Sequence, residues 1–307
     1  MPTLAPDVTV LERGWLSSNN ILLHGADGEG ATLVDSSHSN HAAQTVALVR
    51  HALGAQRLNA VVNTHLHSDH CGGNAAVQAA FGARIVIPPG QAAAVAAWDT
   101  AALGYATTNQ RCERYAADAL LAPGSELAVG ARRWQVLAAP GHDPHSLMLF
   151  DADEGVLISA DALWRDGFGL VFPELDGESA FDDVAAVLDL IERLPVQWVI
   201  PGHGAPFGDV ADALGRARSR LALWRTEPGR HMRHAARVLL KYHAMEEHAE
   251  PLAAWAAWCE TTPLLHTLHH RVGAADAPYA AWCNALLRSL VDGGALALGA
   301  DGVVRDI

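Results

Sequence analysis

Short apolar runs alternate with helical stretches over the earlier part of the chain. Strand-like runs occupy about residues 7–14, 19–24 and 31–35, and a helical pattern covers about 39–53. The same alternation then predicts a strand ending at Asn63, a helix at 73–81, a strand at 84–87, a helix at 91–98, strands over 118–159 with a hairpin turn at 151–155, and a helix at 178–193. This order predicts an α/β fold in which two sheets carry helices on their outer faces.

The pattern becomes helical after about residue 208. Apolar spacing predicts helices at 210–226, 231–248, 252–259 and 278–291, and a hairpin over 293–305 around the turn 299–302. We therefore expect two domains, with bounds 1–207 and 208–307. In the second, His266, His269 and His270 have helical spacing, which fits a metal site or, more commonly, the polar face of a helix.

A dense group of candidate metal ligands directly follows the apolar run 58–63. Its members are His65, His67, Asp69 and His70, with Gly72-Gly73 next in the chain. These spacings do not place the side chains on one helical face, but a turn at the end of a strand can fold them around an ion. Chance clusters occur in a chain with 17 histidines, yet crowded imidazoles beside a carboxylate have no ordinary packing purpose. Imidazole ligands favour a transition metal, and zinc is the first expectation.

Three later strand-like runs also end in short polar turns. The run 134–139 leads into Pro140-Gly141-His142, the run 156–160 leads into Asp161, and the run 196–200 leads into Pro201-Gly202-His203. Glycine and proline fix such turns and so determine where the next side chain points. Together with the first group, these turns indicate strand ends that converge at one edge of a sandwich.

The order of these motifs resembles that of the metallo-β-lactamase superfamily, in which His-x-His-x-Asp-His is followed by His, Asp and His. The resemblance implies an αββα sandwich with a dinuclear metal centre. It assigns one ion to His65, His67 and His142, the other ion to Asp69, His70 and His203, and a bridging position to Asp161. The helices and hairpin after residue 208 resemble the small winged-helix-like domain that follows the catalytic domain in some members.

The resemblance also indicates a particular branch of the superfamily. The turns at His142 and His203 are more similar to those of glyoxalase II, lactonases and related esterases than to those of true β-lactamases. Several of the latter use a cysteine ligand where this chain has Asp161, which argues against antibiotic hydrolysis.

The expected chemistry is hydrolysis. Two zinc ions, or iron or manganese in their place, can share one water and lower its pKa, so that a metal-bridging hydroxide becomes the nucleophile. Asp69 is expected to orient this nucleophile and to collect its proton while binding metal. The favoured substrate is a small ester-like molecule, either a thioester or a lactone. The alternatives are a phosphodiesterase or ribonuclease of the same superfamily, a di-iron redox protein and a scaffold without activity.

Five further residues are candidates for supporting the ligands or contacting substrate. Asp35 follows a strand-like run and is either a partner of a ligand histidine or a turn-capping aspartate. Asp143 and His145 replace the small residues that related enzymes often carry after this histidine, so they support the site or shape a turn. Trp164 and Arg165 follow the bridging aspartate in a loop suited to substrate contact or to a small local core.

The net charge of −13 limits the classes of partner. An acidic surface repels phosphate backbones and anionic membranes, and Lys241 is the single lysine, so we expect a small-molecule substrate and no nucleic acid. No apolar stretch approaches the ~20 residues that cross a bilayer, so no membrane span is expected. The second domain is expected to close over the active site or to form the interface of a homodimer.

The cysteines and the first residues of the chain indicate a cytoplasmic protein. Cys71, Cys112, Cys259 and Cys283 form no CxxC motif, which suits reduced thiols in a reducing compartment. Cys71 is expected to pack as a small buried side chain and not to bind metal. Residues 1–7 lack a basic segment followed by an apolar one, so no secretory signal is predicted.

Overall fold

Two sheets form the centre of the computed structural model, which describes residues 6–26, 28–272 and 277–307. The first sheet has six strands in spatial order β1 to β6, which are Val8–Leu11, Asn20–Leu23, Ala31–Val34, Leu58–Val62, Arg84–Ile87 and Ala119–Leu120. Strands β1 to β3 are antiparallel, whereas β3 to β6 are parallel. The second sheet consists of β7 (Glu126–Val129), β8 (Arg132–Ala138), β9 (Leu147–Asp151), β10 (Val156–Ala160) and β11 (Trp198–Pro201), in the spatial order β11-β10-β9-β8-β7.

Side chains of both sheets form one apolar layer between them. In β2, Ile21 and Leu23 face this layer, and Leu22 lies on the other side of the sheet. Strand β9 repeats the alternation, with Leu149 toward the layer and Phe150 away from it. Because both strands are buried on both faces, they are apolar at nearly every position.

Helices cover the outer faces of the sheets. Those of the first part of the chain are α1 (Ala42–Leu53), α2 (Ser68–Cys71), α3 (Asn74–Phe81), α4 (Ala92–Ala97), α5 (Tyr105–Thr108), α6 (Phe172–Asp176) and α7 (Phe181–Arg193), with short 3-10 turns at Ser39–His41 and Pro89–Gln91. Apolar residues of α1, α3 and α4 pack on the first sheet, and those of α7 pack on the second. The predicted αββα sandwich is therefore confirmed.

The C-terminal region is mostly helical, as predicted. It contains α8 (Val210–Thr226), α9 (Pro228–Glu247), α10 (Leu252–Thr261), α11 (Pro263–Arg271) and α12 (Tyr279–Asp292), together with the strands β12 (Ala249–Pro251), β13 (Leu296–Leu298) and β14 (Val303–Asp306). The terminal hairpin is confirmed as β13 and β14, whereas β12 and α11 were not among the predicted elements. Strand β12 pairs with β14 over three residues, which is too short for a period-two pattern to show. The domain boundary after residue 207 stays a prediction.

Several smaller expectations can be compared with the structure. His266 and His269 of α11 each lie 3.0 Å from a backbone carbonyl oxygen, and His269 is buried whereas His270 is exposed, so these three histidines do not share one solvent-facing side of the helix. The four cysteines are free, and Cys71 is buried, with its Sγ 3.9 Å from Sγ of Cys112. Among the residues that the structure describes, no helix has the length and apolar character needed to cross a membrane. Residues 1–5, on which the secretory-signal expectation partly falls, lie outside the described residues.

Candidate metal centre

Five of the seven predicted ligands lie in loops that follow strands, and the other two lie on a one-turn helix. His65 follows β4, and the chain continues through His67 into the one-turn helix α2, which carries Asp69 and His70. The other three are His142 in the connection from β8 to β9, Asp161 directly after β10, and His203 after β11. His67 and Asp69 are half-buried and the other five are buried. We refer to residues 64–73 as the metal loop.

Three histidine nitrogens form a small triangle. Nε2 of His65 lies 3.1 Å from Nδ1 of His67 and 3.2 Å from Nε2 of His142, and the edge between His67 and His142 is 2.8 Å long. Ligand nitrogens at about 2.0–2.1 Å from a tetrahedral zinc are about 3.3 Å apart. The triangle therefore has the size of one face of such a site.

A second group consists of Asp69, His70 and His203. Oδ2 of Asp69 lies 3.1 Å from Nε2 of His203 and 4.0 Å from Nε2 of His70. Asp161 lies between the groups, with Oδ1 3.4 Å from Nε2 of His70 and Oδ2 3.4 Å from Nε2 of His142. Oδ2 also lies 3.9 Å from Nε2 of His203, so this carboxylate is near nitrogens of both groups, which suits a bridging ligand.

Burial keeps two of the histidines neutral. Burial, followed by the neighbouring His70, His67 and His142, lowers the pKa of His65 well below its usual value. Burial and His142 lower the pKa of His67 to about 4. Both imidazoles are therefore uncharged at pH 7 and have the free lone pair that a metal ligand needs.

Neighbouring carboxylates raise the pKa of His70. Burial lowers its pKa, but Asp161, Asp35 and Asp69 together outweigh burial and raise it well above the usual value. Burial also raises the pKa of Asp69, whereas His70 and His203 outweigh it and lower that pKa to about 2. This part of the site therefore favours a positive charge, which a metal ion would also supply.

Hydrogen bonds behind the ligands fix the orientation of two imidazole rings. Nδ1 of His70 lies 2.8 Å from Oδ2 of Asp35, and Nδ1 of His142 lies 2.5 Å from the carbonyl oxygen of Leu170. Nε2 of His70 is buried and has no hydrogen-bond partner among the described residues. Buried polar atoms are normally paired, so this nitrogen, which faces Asp161, fits a metal ligand.

Asp35 lies directly behind the metal loop. Its Oδ1 accepts the backbone N–H of Thr64 at 2.9 Å, and its Oδ2 accepts the Thr64 hydroxyl at 2.8 Å. The backbone of Asp35 has a φ of 57°, in the left-handed region that aspartate and asparagine adopt more readily than most residues. Asp35 thus connects the end of β3 to the start of the metal loop.

Gly72 and Gly73 allow the metal loop to approach the loop that follows β3. A Cβ at Gly73 would lie 2.1 Å from the carbonyl oxygen of Ser36, and a Cβ at Gly72 would lie 2.6 Å from the backbone nitrogen of Ser39. The backbone N–H of Ser36 also donates to the carbonyl oxygen of His70 at 2.7 Å. The glycine pair is therefore required by the close approach of two backbones.

Asp143 and His145 take part in one turn beside the first group. Oδ1 of Asp143 accepts the backbone N–H of His145 at 2.7 Å, while Oδ2 lies 3.9 Å from Nε2 of His67. The ring of His145 packs against Gly90, where a Cβ would lie 2.1 Å from Nδ1. Asp143 therefore shapes the turn and also lies next to a predicted ligand.

Trp164 and Arg165 point to different surroundings. Nε1 of Trp164 donates a hydrogen bond to Oδ1 of Asp161 at 3.1 Å. The guanidinium of Arg165 lies 3.6 Å from the carboxylate of Asp209 and 5.8 Å from the centre of the Phe207 ring. Trp164 is thus in contact with the centre, whereas Arg165 is exposed beside α8.

Aromatic rings flank both groups of donors, and neither Trp15 nor Phe172 is among the residues predicted from the sequence. The ring of Trp15 lies 5.5 Å from that of His203, with 10° between their planes, and meets Trp164 edge-on at 5.5 Å. Phe172 lies 4.6 Å from the ring of His67. Trp15 is 60% exposed and lies in the loop before β2, where no periodic pattern marks it as a site residue.

Known proteins with similar sequences include hydrolases. The family profile described as metallo-beta-lactamase superfamily matches residues 13–203. A hydroxyacylglutathione hydrolase from Anaeromyxobacter dehalogenans (strain 2CP-C) is 30% identical over 223 residues, which cover 69% of this chain and 74% of that protein. The acyl-coenzyme A thioesterase MBLAC2 from Homo sapiens is 26% identical over 180 residues, which cover 54% of this chain and 62% of that protein.

Solved structures of the fold match nearly the whole chain, and one of them serves as an example. The crystal structure of a metallo-beta-lactamase family protein from Thermus thermophilus has a TM-score of 0.56 at 22% identity, and the match covers 99% of this chain and 100% of that one. At this identity the likeness shows the fold alone, and it extends over the helical C-terminal region.

Proposed function

Because this chain belongs to the metallo-β-lactamase superfamily, we propose that it is a dinuclear metal-dependent hydrolase that acts on a small thioester. The position of Asp161 between two groups of donor atoms carries the proposal. A thioester ranks ahead of a lactone because the similar proteins include a hydroxyacylglutathione hydrolase and an acyl-coenzyme A thioesterase. The net charge of −13 fits a small-molecule substrate better than a nucleic acid.

The donor set suits two transition-metal ions. The proposed ligands are His65, His67 and His142 for one ion and Asp69, His70 and His203 for the other, with Asp161 shared. A set of five imidazoles and two carboxylates favours zinc, with iron or manganese as the alternatives. When bound, such ions supply Lewis acidity that lowers the pKa of water toward neutrality and polarises a carbonyl oxygen.

The side chains of this protein supply orientation and proton transfer. Asp69, with a pKa of about 2, is ionised at pH 7 and can accept a hydrogen bond from the attacking water. A carboxylate with so low a pKa is a weak base. We therefore propose that Asp69 mainly orients the attacking water, and that it accepts the proton of this water in a second step. Trp164 holds the plane of the Asp161 carboxylate through its indole N–H.

We place the acyl group of the substrate against the aromatic rings beside the ligands. Trp15 and Trp164 contact His203, and Phe172 contacts His67, so an apolar group between them would lie next to both groups of donors. Trp15 is the most exposed of these rings and has the most apolar surface to cover. Arg165, exposed in the same loop as Trp164, lies 3.6 Å from the carboxylate of Asp209, so an anionic substituent of the substrate would compete with Asp209 for its guanidinium.

The test is a metal analysis followed by a substrate panel. The metal-loaded protein is assayed with a thioester, a lactone, an aryl ester, a phosphodiester and a β-lactam. We expect the highest kcat/KM for the thioester. Turnover of the phosphodiester alone would overturn the proposal, and a lactone hydrolysed faster than the thioester would correct the substrate class.

A further inference from the structure

Helix α9 of the C-terminal region contacts the metal loop from behind. The hydroxyl oxygen of Tyr242, in the third quarter of this helix, lies 2.8 Å from Oγ of Ser68, and both side chains are buried. Ser68 begins α2, directly between His67 and Asp69. Tyr242 lies outside the span 13–203 that matches the superfamily. A residue beyond the matched region thus contacts the metal loop between two of its predicted ligands.

The direction of this hydrogen bond follows from the partners of Ser68. The Ser68 hydroxyl has one proton, and it donates to Oε1 of Gln110 at 3.0 Å. The bond at 2.8 Å therefore has the Tyr242 hydroxyl as donor and Oγ of Ser68 as acceptor. Burial and the nearby carboxylate of Asp69 raise the pKa of Tyr242 well above its usual value, so the phenol keeps its proton.

A second contact joins α9 to the loop after β3. Nδ1 of His38 accepts the backbone N–H of Asn40 at 3.2 Å, which leaves Nε2 as the protonated nitrogen that donates to Glu246 at 3.0 Å. The side chain of Asn40 donates to the carbonyl oxygen of Glu246 at 2.8 Å. The ring of His38 meets that of Tyr242 edge-on at 5.7 Å. One face of α9 therefore supports both the metal loop and the loop packed against Gly72 and Gly73.

Helix α2 needs such support because it is only four residues long. A single helical turn forms few internal hydrogen bonds and is not stable by itself, so contacts from outside must fix its orientation. Asp69 and His70 lie on this turn, and a rotation of the turn would move both donors relative to Asp161. The hydroxyl of Tyr242 bonds to the residue immediately before them.

We propose that Tyr242 is a positioning residue of the metal centre, through which helix α9 fixes the turn that carries Asp69 and His70. The inference rests on the proposed metal centre but not on the proposed substrate. Tyr242 acts through Ser68 and has no assigned contact with substrate. Removal of its hydroxyl loosens the group formed by Asp69, His70 and His203, and leaves the triangle of His65, His67 and His142 in place.

The test compares Tyr242→Phe with Tyr279→Phe. Tyr279, in α12, is half-buried and donates to the carbonyl oxygen of Cys259 at 2.7 Å, so the control also loses one tyrosine hydrogen bond, but within the C-terminal region. Zinc affinity is measured by titration against a competing chelator, and Tm is measured by circular dichroism. We expect Tyr242→Phe to weaken the binding of one of the two zinc ions roughly 10-fold, as for other residues that support metal ligands. Tyr279→Phe should leave both affinities within two-fold of wild type.

Kinetics and a double variant complete the test. With a thioester, we expect Tyr242→Phe to lower kcat while KM stays within two-fold. Ser68→Ala removes the acceptor of the same bond. The double variant should therefore bind zinc as tightly as the single variant with the lower affinity, because the second change removes nothing further. Ser68→Ala also carries the test if Tyr242→Phe does not fold.

Two results would overturn the inference: zinc affinities in Tyr242→Phe that stay within two-fold of wild type, or an equal loss in Tyr279→Phe. A wild-type protein that binds zinc but hydrolyses no thioester contradicts the proposed function and leaves this inference standing.

Discussion

Asp161 lies between the two groups of donors. Its two oxygens face His70 and His142. Burial raises the pKa of Asp161, but His70 and His203 outweigh burial and hold this pKa well below the usual value. The side chain is therefore ionised across the whole neutral range. A bridging ligand needs this negative charge because two cations close to each other repel strongly.

Replacement of this carboxylate tests the bridge. In Asp161→Ala we expect one metal ion per chain in place of two and a decrease in kcat of roughly 100-fold or more, because the remaining ion no longer has a partner. Metal content and thioester turnover are the measurements. Asp153→Ala, an exposed aspartate in the turn between β9 and β10, is the control and should match wild type. Wild-type turnover in Asp161→Ala would remove this residue from the site.

At position 35, one substitution can distinguish the role of the carboxylate charge from the role of the backbone conformation. Asparagine also tolerates a φ of 57°, so Asp35→Asn keeps the turn while removing the carboxylate that faces Nδ1 of His70. We expect zinc affinity to fall roughly 10- to 100-fold. Tm of the zinc-free protein should also fall, because an amide nitrogen cannot accept the bonds that Oδ2 receives from Thr64 and His70. Zinc affinity equal to that of wild type would show that Asp35 only shapes the turn.

At the scale of elements, the candidate site is built from strand ends, and these could be predicted. Apolar runs before His65, Asp161 and His203 marked β4, β10 and β11, and the turn residues marked where each strand stops. The helix α2 was not predicted, because four residues are too few for a 3.6-residue period to show. Trp15 was missed for a related reason, since a residue in a short loop has no periodic neighbours.

The contact between the metal loop and the loop after β3 predicts a strong effect at Gly73. In Gly73→Ala the new Cβ would meet the carbonyl oxygen of Ser36, so we expect the free energy of unfolding to fall by about 1–3 kcal/mol, as for other overpacked positions. Gly215→Ala is the control, because a Cβ there meets nothing within 4 Å and the position is exposed in α8. That change should raise stability by up to about 1 kcal/mol. Denaturant titration measures both, and an equal response would contradict the close packing at Gly73.

His231 of α9 predicts how stability depends on pH. It is buried, and its Nε2 accepts the backbone N–H of Val171, in the segment that follows the carbonyl bonded to His142. Burial, followed by the neighbouring His234 and Arg271, lowers its pKa to about 3 from the ordinary value of 6.5. The unfolded chain therefore binds a proton that the folded chain does not. The free energy of unfolding is therefore unaffected by the titration of His231 above pH 6.5. As the pH falls from 6.5 toward 3, protonation of His231 in the unfolded chain lowers this free energy by up to about 1.4 kcal/mol per pH unit.

His231→Gln separates this contribution from that of the other histidines. Glutamine also has an acceptor for the N–H of Val171 but does not titrate. In zinc-free protein we expect Tm to fall less between about pH 7 and pH 4.5 in His231→Gln than in wild type. The same slope in both proteins would show that His231 does not contribute to acid destabilisation.

At the scale of the whole molecule, the candidate site contains residues from distant parts of the chain. Some of these residues can be recognised from the sequence, and others cannot. The seven donors share a recognisable order of motifs, and the structure brings them together in two groups around Asp161. Tyr242 has no such signal, because a tyrosine in an amphipathic helix looks like any other core residue. Its position becomes visible only when α9 is packed against α2. Contacts between distant elements are therefore the part of the site that the sequence leaves open.

The number of metal ions per chain tests the central claim most directly. Purified protein is loaded with zinc, separated from free metal, and its metal content is measured by mass spectrometry against the protein concentration. Seven donors in two groups predict two zinc ions per wild-type chain. A loaded wild-type chain that retains one ion or none would contradict the dinuclear centre.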